Sequence, residues 1–584
     1  LPPVRASSRG LMMGGLPAED EEMRALRARI DALLEEASGA KVWGSGIAQD
    51  FRQAIEAMRA MQAGRHADAE IGLSAVLGTA AMQVFRTEVY FARAKARYAL
   101  KRFADGIEDM GRVVEARPRH AAPQYYLGEL HYGAGLTRIA EGADPRQAFG
   151  KAILAYTEAT LGSPDLDILG HRGNVFTSLG DWEAEHGQDA RETWRLGIDD
   201  FTSVLDVRPD DDYALSNRGN AWSRLGRAAI ERGESGAEAL RKARLDFEEA
   251  LKHHPDEPIV LNNLGLAHLT EADGREALGE DPRECHDRAY AVFEQAVKAD
   301  PDLVEAIGGM GLARCGRAKA DWMRGVDPFP GFEEGIRHFG EAIRRDPAGI
   351  RAYLNRSNAY SLRARAEASA GRDPLGSYEL ALADLDQVMK GEPDLPGLHG
   401  NRGNVLTGKA TAEQALGRPF AETVDEAIAE YAEAIRQAPE DAGHRLNRGA
   451  AWTKRAEAEA AAGKDPEEML DRAIKDFGAT LERRPNYAPA FNSRGIAWMT
   501  KGDSAQARGK DPSASREKAL EDFGRAAALD GSHWMSRANR GVLFGQLGRT
   551  AEAIKEFEAA LVICPGQPEV TRLLDAARKR LGTE

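Results

Sequence analysis

The chain of 584 residues carries 78 basic and 93 acidic side chains, so its net charge is −15 and its isoelectric point is about 5.5. This acidity argues against a protein that binds nucleic acid through bulk positive charge. A hydrophobic share of 42% and a charged share of 29% are typical of a globular chain, and no apolar run approaches the ~18 residues of a membrane span. Three cysteines are too few for a disulfide framework and lack zinc-ligand spacing. We therefore expect a cytoplasmic protein with no cofactor, no metal and no nucleic-acid or membrane partner.

The first fifty residues predict an arm followed by a cap. Residues 1–19 are rich in Pro, Ser, Gly and Arg and are expected to form a flexible arm. Residues 20–50 predict a capping helix and a connection, because Met23, Leu26 and Ile30 lie on one side of a helix. The sequence begins with Leu1 rather than Met, so one expectation is that a further domain precedes it.

A 46-residue repeat organises most of the chain. Short strings similar to Asn-Arg-Gly-Asn recur, and their third residue, which we call the anchor, advances in steps of 46 from 173 to 541. Gly128 is the anchor that precedes this series. A glycine at position +14 from the anchor and a proline at position +36 run in phase over nearly the whole series. Such periodicity is the signature of a repeat architecture.

Each unit predicts an antiparallel helical hairpin. The segment from the anchor to the +14 glycine has apolar residues at helical spacing, and the glycine suits a left-handed helix C-terminus. In most units Asp-Pro follows two residues later, as in Asp281-Pro282, and is expected to begin the second helix. The apolar stripe of that helix must be buried against neighbouring hairpins. The aromatic rings at position +28, those of Phe247, Phe293, Phe477 and Phe523, are therefore predicted to lie buried between successive hairpins.

Repeat length divides the chain into segments. Residues 51–120 predict two short hairpins, residues 121–534 predict nine extended 46-residue hairpins, and residues 535–567 predict a final 34-residue hairpin. Residues 568–584 predict a C-terminal capping helix. If the 12 extra residues of an extended unit are shared equally, each helix gains about six residues, or ~9 Å.

The chain resembles the tetratricopeptide repeat family over residues from about 50 to 567. The final unit carries the resemblance most clearly, through Gly541, Phe544, Ala553, Phe557, Ala560 and Pro565. The resemblance implies an all-α, right-handed superhelical solenoid of antiparallel helical hairpins. It also implies a concave groove that binds protein or peptide segments.

Asparagines at the −2 and +1 positions relative to the anchor are the candidate binding residues. The two positions are i, i+3 on the first helix and therefore share one face. By resemblance this face lines the groove and hydrogen-bonds an extended peptide, for which an uncharged donor and acceptor are suited. The alternative is that the amides bond neighbouring helices and fix the stacking. The residues are Asn174, Asn217, Asn220, Asn263, Asn355, Asn358, Asn401, Asn404, Asn447 and Asn539.

Arginines at the −1 position form a second series. Pairing with acidic residues of adjacent helices is favoured over contact with an acidic ligand, because the net charge is negative and the spacing is regular. The basic residues expected for the family's carboxylate clamp are missing, so recognition of chaperone C-termini is not expected. The series comprises Arg172, Arg218, Arg356, Arg402, Arg448 and Arg540.

The unit with its anchor at 311 lacks Asn and Arg and carries instead an aromatic cluster, Trp322, Met323, Phe329 and Phe332. Such a cluster either packs against the next hairpin or forms an exposed contact patch.

No catalytic motif occurs in a meaningful context, so the sequence predicts a non-catalytic scaffold that binds a protein or extended peptide segment. One alternative is a structural protein that assembles into an oligomer or filament, because open superhelices can make contacts that propagate. Another alternative is the regulatory repeat region of a larger signalling enzyme.

Overall fold

The computed structural model describes residues 45–162 and 165–582, together with the helical positions Ala28 and Ala32. The predicted arm and nearly all of the predicted N-terminal capping helix lie outside the described residues. The chain forms two compact units, residues 1–313 and 314–584, and the boundary falls inside one helix. Within the described residues every regular element is helical. None of the described helices is long and apolar enough to cross a membrane.

The described residues form 25 α-helices in consecutive pairs, with one short 3-10 helix at Ala80–Phe85. The helices are α1 (Ser45–Gln62), α2 (His66–Leu77), α3 (Arg86–Ala99), α4 (Phe103–Ala116), α5 (Ala121–Ala140), α6 (Arg146–Gly162), α7 (Leu166–Glu185), α8 (Arg191–Leu205), α9 (Asp212–Glu231), α10 (Ala237–His253), α11 (Pro258–Ala277), α12 (Arg283–Ala299), α13 (Val304–Met323), α14 (Phe329–Arg345), α15 (Ile350–Ser369), α16 (Leu375–Gly391), α17 (Leu398–Ala415), α18 (Ala421–Gln437), α19 (Ala442–Ala461), α20 (Glu467–Arg483), α21 (Ala488–Ala507), α22 (Ser513–Leu529), α23 (Trp534–Gln546), α24 (Thr550–Ile563) and α25 (Pro568–Leu581). This is the all-α architecture of helical hairpins that the periodicity predicts and that the resemblance to the tetratricopeptide repeat family implies.

The turns inside the long hairpins follow the predicted chemistry. The +14 glycines adopt positive φ near 70°, as Gly463 does at 71°, a backbone conformation that glycine adopts without steric cost. The aspartate two residues later accepts a hydrogen bond from the first N–H of the second helix. The distance is 3.1 Å from Arg283 N to Asp281 Oδ1 and 3.0 Å from Glu467 N to Asp465 Oδ1. The intervening proline directly precedes the second helix, so the Asp-Pro segments are turns, as predicted.

The expectation of an equal division of the insertion is wrong. A long hairpin such as α9/α10 has helices of 20 and 17 residues, whereas the short α23/α24 has helices of 13 and 14. The first helix therefore takes seven of the twelve extra residues and the second takes three. The remaining two lengthen the turn, which has five residues in α9/α10 and three in α23/α24.

The aromatic residues at position +28 form the core, as predicted. Phe247 and Phe293 in the first unit, and Phe477 and Phe523 in the second, are at most 1% exposed. Each ring packs against its own anchor glycine, and a Cβ atom added to Gly449 would lie only 2.7 Å from the ring of Phe477. The ring also meets the following hairpin, because Phe293 clusters with residues of α13 and Phe523 with a leucine of α23. Glycine at the anchor thus makes room for the ring that joins successive hairpins.

The last long hairpin, α21/α22, carries a polar residue at a core position. In the preceding long hairpins, position +21 from the anchor holds a buried apolar side chain, except in α12, where it holds His286. In α22 the same position holds Arg516. Arg516 Nη2 lies 3.1 Å from Asp503 Oδ1, and Gln546 of the short hairpin α23/α24 also donates to Asp503. Arg516 is 8% exposed and lines a surface cavity together with Asp503 and Gln546, at the end of α21/α22 that the shorter α23 and α24 flank. The apolar side chains at position +21 belong to Phe149, Trp194, Leu240, Phe332, Tyr378, Val424 and Leu470.

Candidate peptide-binding face

The ten candidate asparagines lie on the first helices of the hairpins, at positions one helical turn apart. We call the surface formed by the −2 and +1 positions of these helices the amide face. Hydrogen bonds between first helices of successive hairpins cross this face, as between Tyr132 of α5 and Ser178 of α7 (3.0 Å). The face is therefore continuous from one hairpin to the next within each unit.

Exposure and bonding separate the asparagines into two groups. Asn358, Asn401 and Asn404 are exposed, whereas Asn174 is buried. In the described structure four asparagines, Asn174, Asn404, Asn447 and Asn539, make side-chain hydrogen bonds to other side chains. The remaining six make no side-chain hydrogen bond within the described residues and keep their amides available: Asn217, Asn220, Asn263, Asn355, Asn358 and Asn401.

The best-presented part of the amide face lies in the second unit. Asn447 Nδ2 of α19 donates to Asn404 Oδ1 of α17 across 3.0 Å, and Tyr431 of α18 donates its hydroxyl to the same oxygen across 2.9 Å. Burial raises the pKa of Tyr431 to about 12, so this donor keeps its proton at neutral pH. The Asn447 amide is therefore only partly available, because one of its donors is shared with α17. The arrangement leaves the Asn404 donor and the Asn447 oxygen unpaired, with the exposed Asn401 amide one turn away.

On α5 and α7 of the first unit the amide face is closed by a different chemistry. At the +1 position of α5 stands Glu129, which is buried and accepts hydrogen bonds from Tyr98 Oη (2.6 Å), Tyr156 Oη (2.5 Å) and His171 Nδ1 (2.8 Å). Asn174 Nδ2, in turn, donates to the hydroxyl of Tyr213 in α9. These polar groups are satisfied by one another, so this segment has little hydrogen-bonding capacity left for a ligand.

The arginine series is a set of internal ion pairs, as the sequence favoured. Each arginine reaches an acidic residue on the second helix of its own hairpin, and the usual partner is the aspartate at position +27 from the anchor. In the bidentate pair Arg218–Asp246 the Nε and Nη2 distances are 2.9 and 2.8 Å. The pairs are Arg172–Asp200, Arg218–Asp246, Arg356–Asp384, Arg402–Glu430, Arg448–Asp476, Arg494–Asp522 and Arg540–Glu556.

Several arginines also reach the preceding hairpin. Arg172 Nη1 donates to Thr157 Oγ1 across 3.0 Å, and Arg218 Nη1 donates to Thr202 Oγ1 across 3.2 Å. Arg402 pairs with Asp386 of the preceding hairpin at 2.5 Å. The guanidinium groups therefore fix the stacking and are not free for a ligand.

The aspartate partners of these arginines were not predicted, although the sequence contains a pattern that indicates them. In the long hairpins an arginine at −1 occurs together with an acidic residue at +27, usually aspartate, and the two are absent together. One unit has Leu127 with Ala155, and another has Leu264 with Val292. Comparing repeats with one another would have revealed the pair. The Tyr98–Glu129–His171 contacts had no such signal, because they occur in one place only.

The aromatic cluster is mainly packing. Phe332 is fully buried, so its inclusion in an exposed contact patch is wrong: it fills the +21 core position of α14. Trp322 and Phe329 are half-buried, and arginines of the next hairpin cover them, Arg372 lying 4.0 Å from the Phe329 ring centroid. Among the four, Met323 alone presents a largely exposed side chain, at 70%.

Comparison with protein families agrees with the repeat architecture. A family model described as a tetratricopeptide repeat matches residues 91–137 and 515–568. No curated protein matches the chain in sequence. Among solved structures, yeast Tom70 is 13% identical and covers 91% of this chain and 95% of its own, with a TM-score of 0.39. A tetratricopeptide repeat protein from Parabacteroides merdae is 16% identical and covers 56% of this chain and 98% of its own (TM-score 0.34). A thermophilic tetratricopeptide repeat protein from Thermus thermophilus is 23% identical, and the match covers 40% of this chain and 98% of that protein (TM-score 0.27).

Proposed function

Because the chain belongs to the tetratricopeptide repeat family, we propose that it is a scaffold that binds an extended segment of another protein along its amide face. The supporting observation is the group of exposed, incompletely bonded amides on α15, α17 and α19. It includes Asn358, Asn401 and the pair Asn404–Asn447. A backbone peptide group needs one donor and one acceptor, and these amides offer both without the cost of burying a charge.

The same face favours an uncharged recognition chemistry. The arginines nearest to it are already paired with carboxylates, so they do not supply free positive charge for an acidic ligand. Side-chain specificity would then come from the residues around the amides, such as the half-buried Leu354 and the exposed Ala450. We expect main-chain hydrogen bonds to give most of the affinity, as they do in other modes of extended-peptide recognition.

A peptide library selected on the full chain tests this proposal. Peptides enriched on the wild type are measured by calorimetry against the double variant Asn358→Ala, Asn401→Ala. Each lost amide–backbone hydrogen bond contributes about 0.5–1.5 kcal/mol, so two lost bonds should weaken binding roughly 5- to 150-fold. Thermal stability should remain within about 0.5 kcal/mol of the wild type, because neither amide is bonded to another of the described residues.

The pair Asn492–Asn539 provides the matched control, because Asn492 is buried, its oxygen accepts from Asn539 across 3.0 Å, and the pair lies outside α15, α17 and α19. Replacing both with Ala should leave the affinity of the selected peptides unchanged. If the Asn358/Asn401 variant binds the selected peptides as tightly as the wild type, the amide face is not the binding surface.

A further inference from the structure

A single buried carboxylate connects three successive hairpins of the first unit. Glu129 lies on α5, and its two oxygens accept hydrogen bonds from the preceding hairpin (Tyr98 of α3), its own hairpin (Tyr156 of α6) and the following hairpin (His171 of α7). His171 Nε2 lies 3.3 Å from the hydroxyl of Tyr125, back on α5. Elsewhere in the described chain, successive hairpins meet mainly through apolar rings and through arginine–carboxylate pairs that lie on other positions of the helices.

The contact between Glu129 and His171 shifts the pKa values of the two residues in opposite directions. Burial raises the pKa of Glu129, but the hydrogen bonds from His171, Tyr156 and Tyr98 outweigh it, so this pKa lies below the ordinary 4.5. Burial lowers the pKa of His171, but Glu129 outweighs it, so this pKa lies above the ordinary 6.5. The titratable or charged groups that face the pair or its aromatic neighbours are Lys95 and Tyr98 of α3, Tyr125, Tyr126 and Tyr132 of α5, Tyr156 of α6, Asp165 and Asp167 at the start of α7, and Tyr213 of α9.

We propose that Glu129 and His171 form a clasp whose protonation state controls how firmly the hairpins α3/α4, α5/α6 and α7/α8 hold together. The tyrosines remain neutral throughout the relevant range, because burial raises the pKa of Tyr98, Tyr125 and Tyr156 far above neutrality. The charge of the clasp is therefore set by Glu129 and His171 themselves.

Both members make the clasp strongest at mildly acidic pH. Glu129, with its lowered pKa, contributes stability that is present above about pH 4.5 and is lost as the pH falls through its folded value. His171, with its raised pKa, contributes stability that is complete below about pH 6.5 and is lost as the pH rises through its folded value. Once His171 is neutral, its Nδ1–H can still donate to Glu129, but a buried anion is left without its positive partner.

Hydrogen exchange of the full chain carrying His131→Gln, between pH 4 and pH 9 and corrected for the intrinsic exchange rate, tests the clasp. The change removes His131 of α5, whose pKa burial lowers to about 4 and whose protonation would add an acid fall of its own. The protection of residues 121–185 is compared with that of residues 488–529, which contain no histidine and no tyrosine. The protection of residues 121–185 relative to residues 488–529 should be greatest near pH 5–6.5. It should fall as the pH rises further, by about tenfold for each unit by which the pKa of His171 is raised. His171→Gln should abolish the alkaline fall and leave the acid fall in place.

Two further variants keep the test decisive. Glu129→Gln should remove the alkaline fall. It should leave an acid fall, because burial without the carboxylate lowers the pKa of His171 and its protonation then destabilises the folded hairpins. If that variant does not fold, Tyr98→Phe serves instead: it deletes one donor to the carboxylate, so the acid fall should move to higher pH while the alkaline fall persists. The clasp is refuted if residues 121–185 and 488–529 change in parallel across the pH range, or if His171→Gln retains the alkaline fall.

Discussion

The arginine–aspartate pair of hairpin α19/α20 allows a double-mutant cycle in which the chain itself supplies the control sequence. Arg448 Nε and Nη2 each lie 2.7 Å from the carboxylate of Asp476. The Asp476 side chain is 9% exposed and that of Arg448 is 25% exposed. Hairpin α11/α12 has Leu264 and Val292 at the same two positions, both packed in one apolar cluster. The changes are therefore Arg448→Leu, Asp476→Val and the two together.

Removing one partner leaves the other charge buried without its counterion. The cost for a fully buried pair is about 3–5 kcal/mol, and the partial exposure of Arg448 reduces it to about 2–3 kcal/mol for each single variant. If the two effects were independent, the double variant would lose about 4–6 kcal/mol. Because an apolar pair already fills these positions in α11/α12, we expect the double variant to lose less than about 3 kcal/mol, which is a coupling of at least about 1–3 kcal/mol.

Urea unfolding gives the free energies, and hydrogen exchange identifies which hairpins open first. Local protection should fall in residues 442–483 and their immediate neighbours, since repeat hairpins contact only the hairpins beside them. An exposed pair on α20, Glu468–Arg472, is the control: Glu468→Ala should cost less than about 0.5 kcal/mol. Additive single effects would refute the view that the two residues act as one buried unit.

Two other predictions follow from packing and from the turn. Phe523→Ala should cost about 3–5 kcal/mol and should lower hydrogen-exchange protection first in α21–α24; a uniform loss over all hairpins would contradict nearest-neighbour packing. Asp465→Ala removes the acceptor of the Glu467 N–H and should cost ~1 kcal/mol, measured by urea unfolding, whereas Asp465→Asn, which keeps an oxygen acceptor, should cost less.

Physical requirements that recur at every repeat can be derived from sequence alone. A residue with positive φ is needed once in each turn, so glycine recurs at position +14 from the anchor, as at Gly463. A ring of the Phe477 type needs a neighbour without a side chain, so glycine is the usual anchor. These local rules were sufficient to predict the all-α hairpins, the buried +28 rings and the Asp-Pro turns.

The tertiary structure decided the points at which one hairpin differs from its neighbours. It showed that the first helix of a long hairpin takes seven of the twelve extra residues, whereas the second helix takes three. It placed Arg516 at a core position, where its guanidinium is paired with Asp503 beside the short last hairpin. It also joined Tyr98, Glu129 and His171, which lie on three different hairpins and far apart in the sequence. Contacts made once leave no periodic trace in a sequence, and only the packing of three hairpins brings these groups within hydrogen-bonding distance.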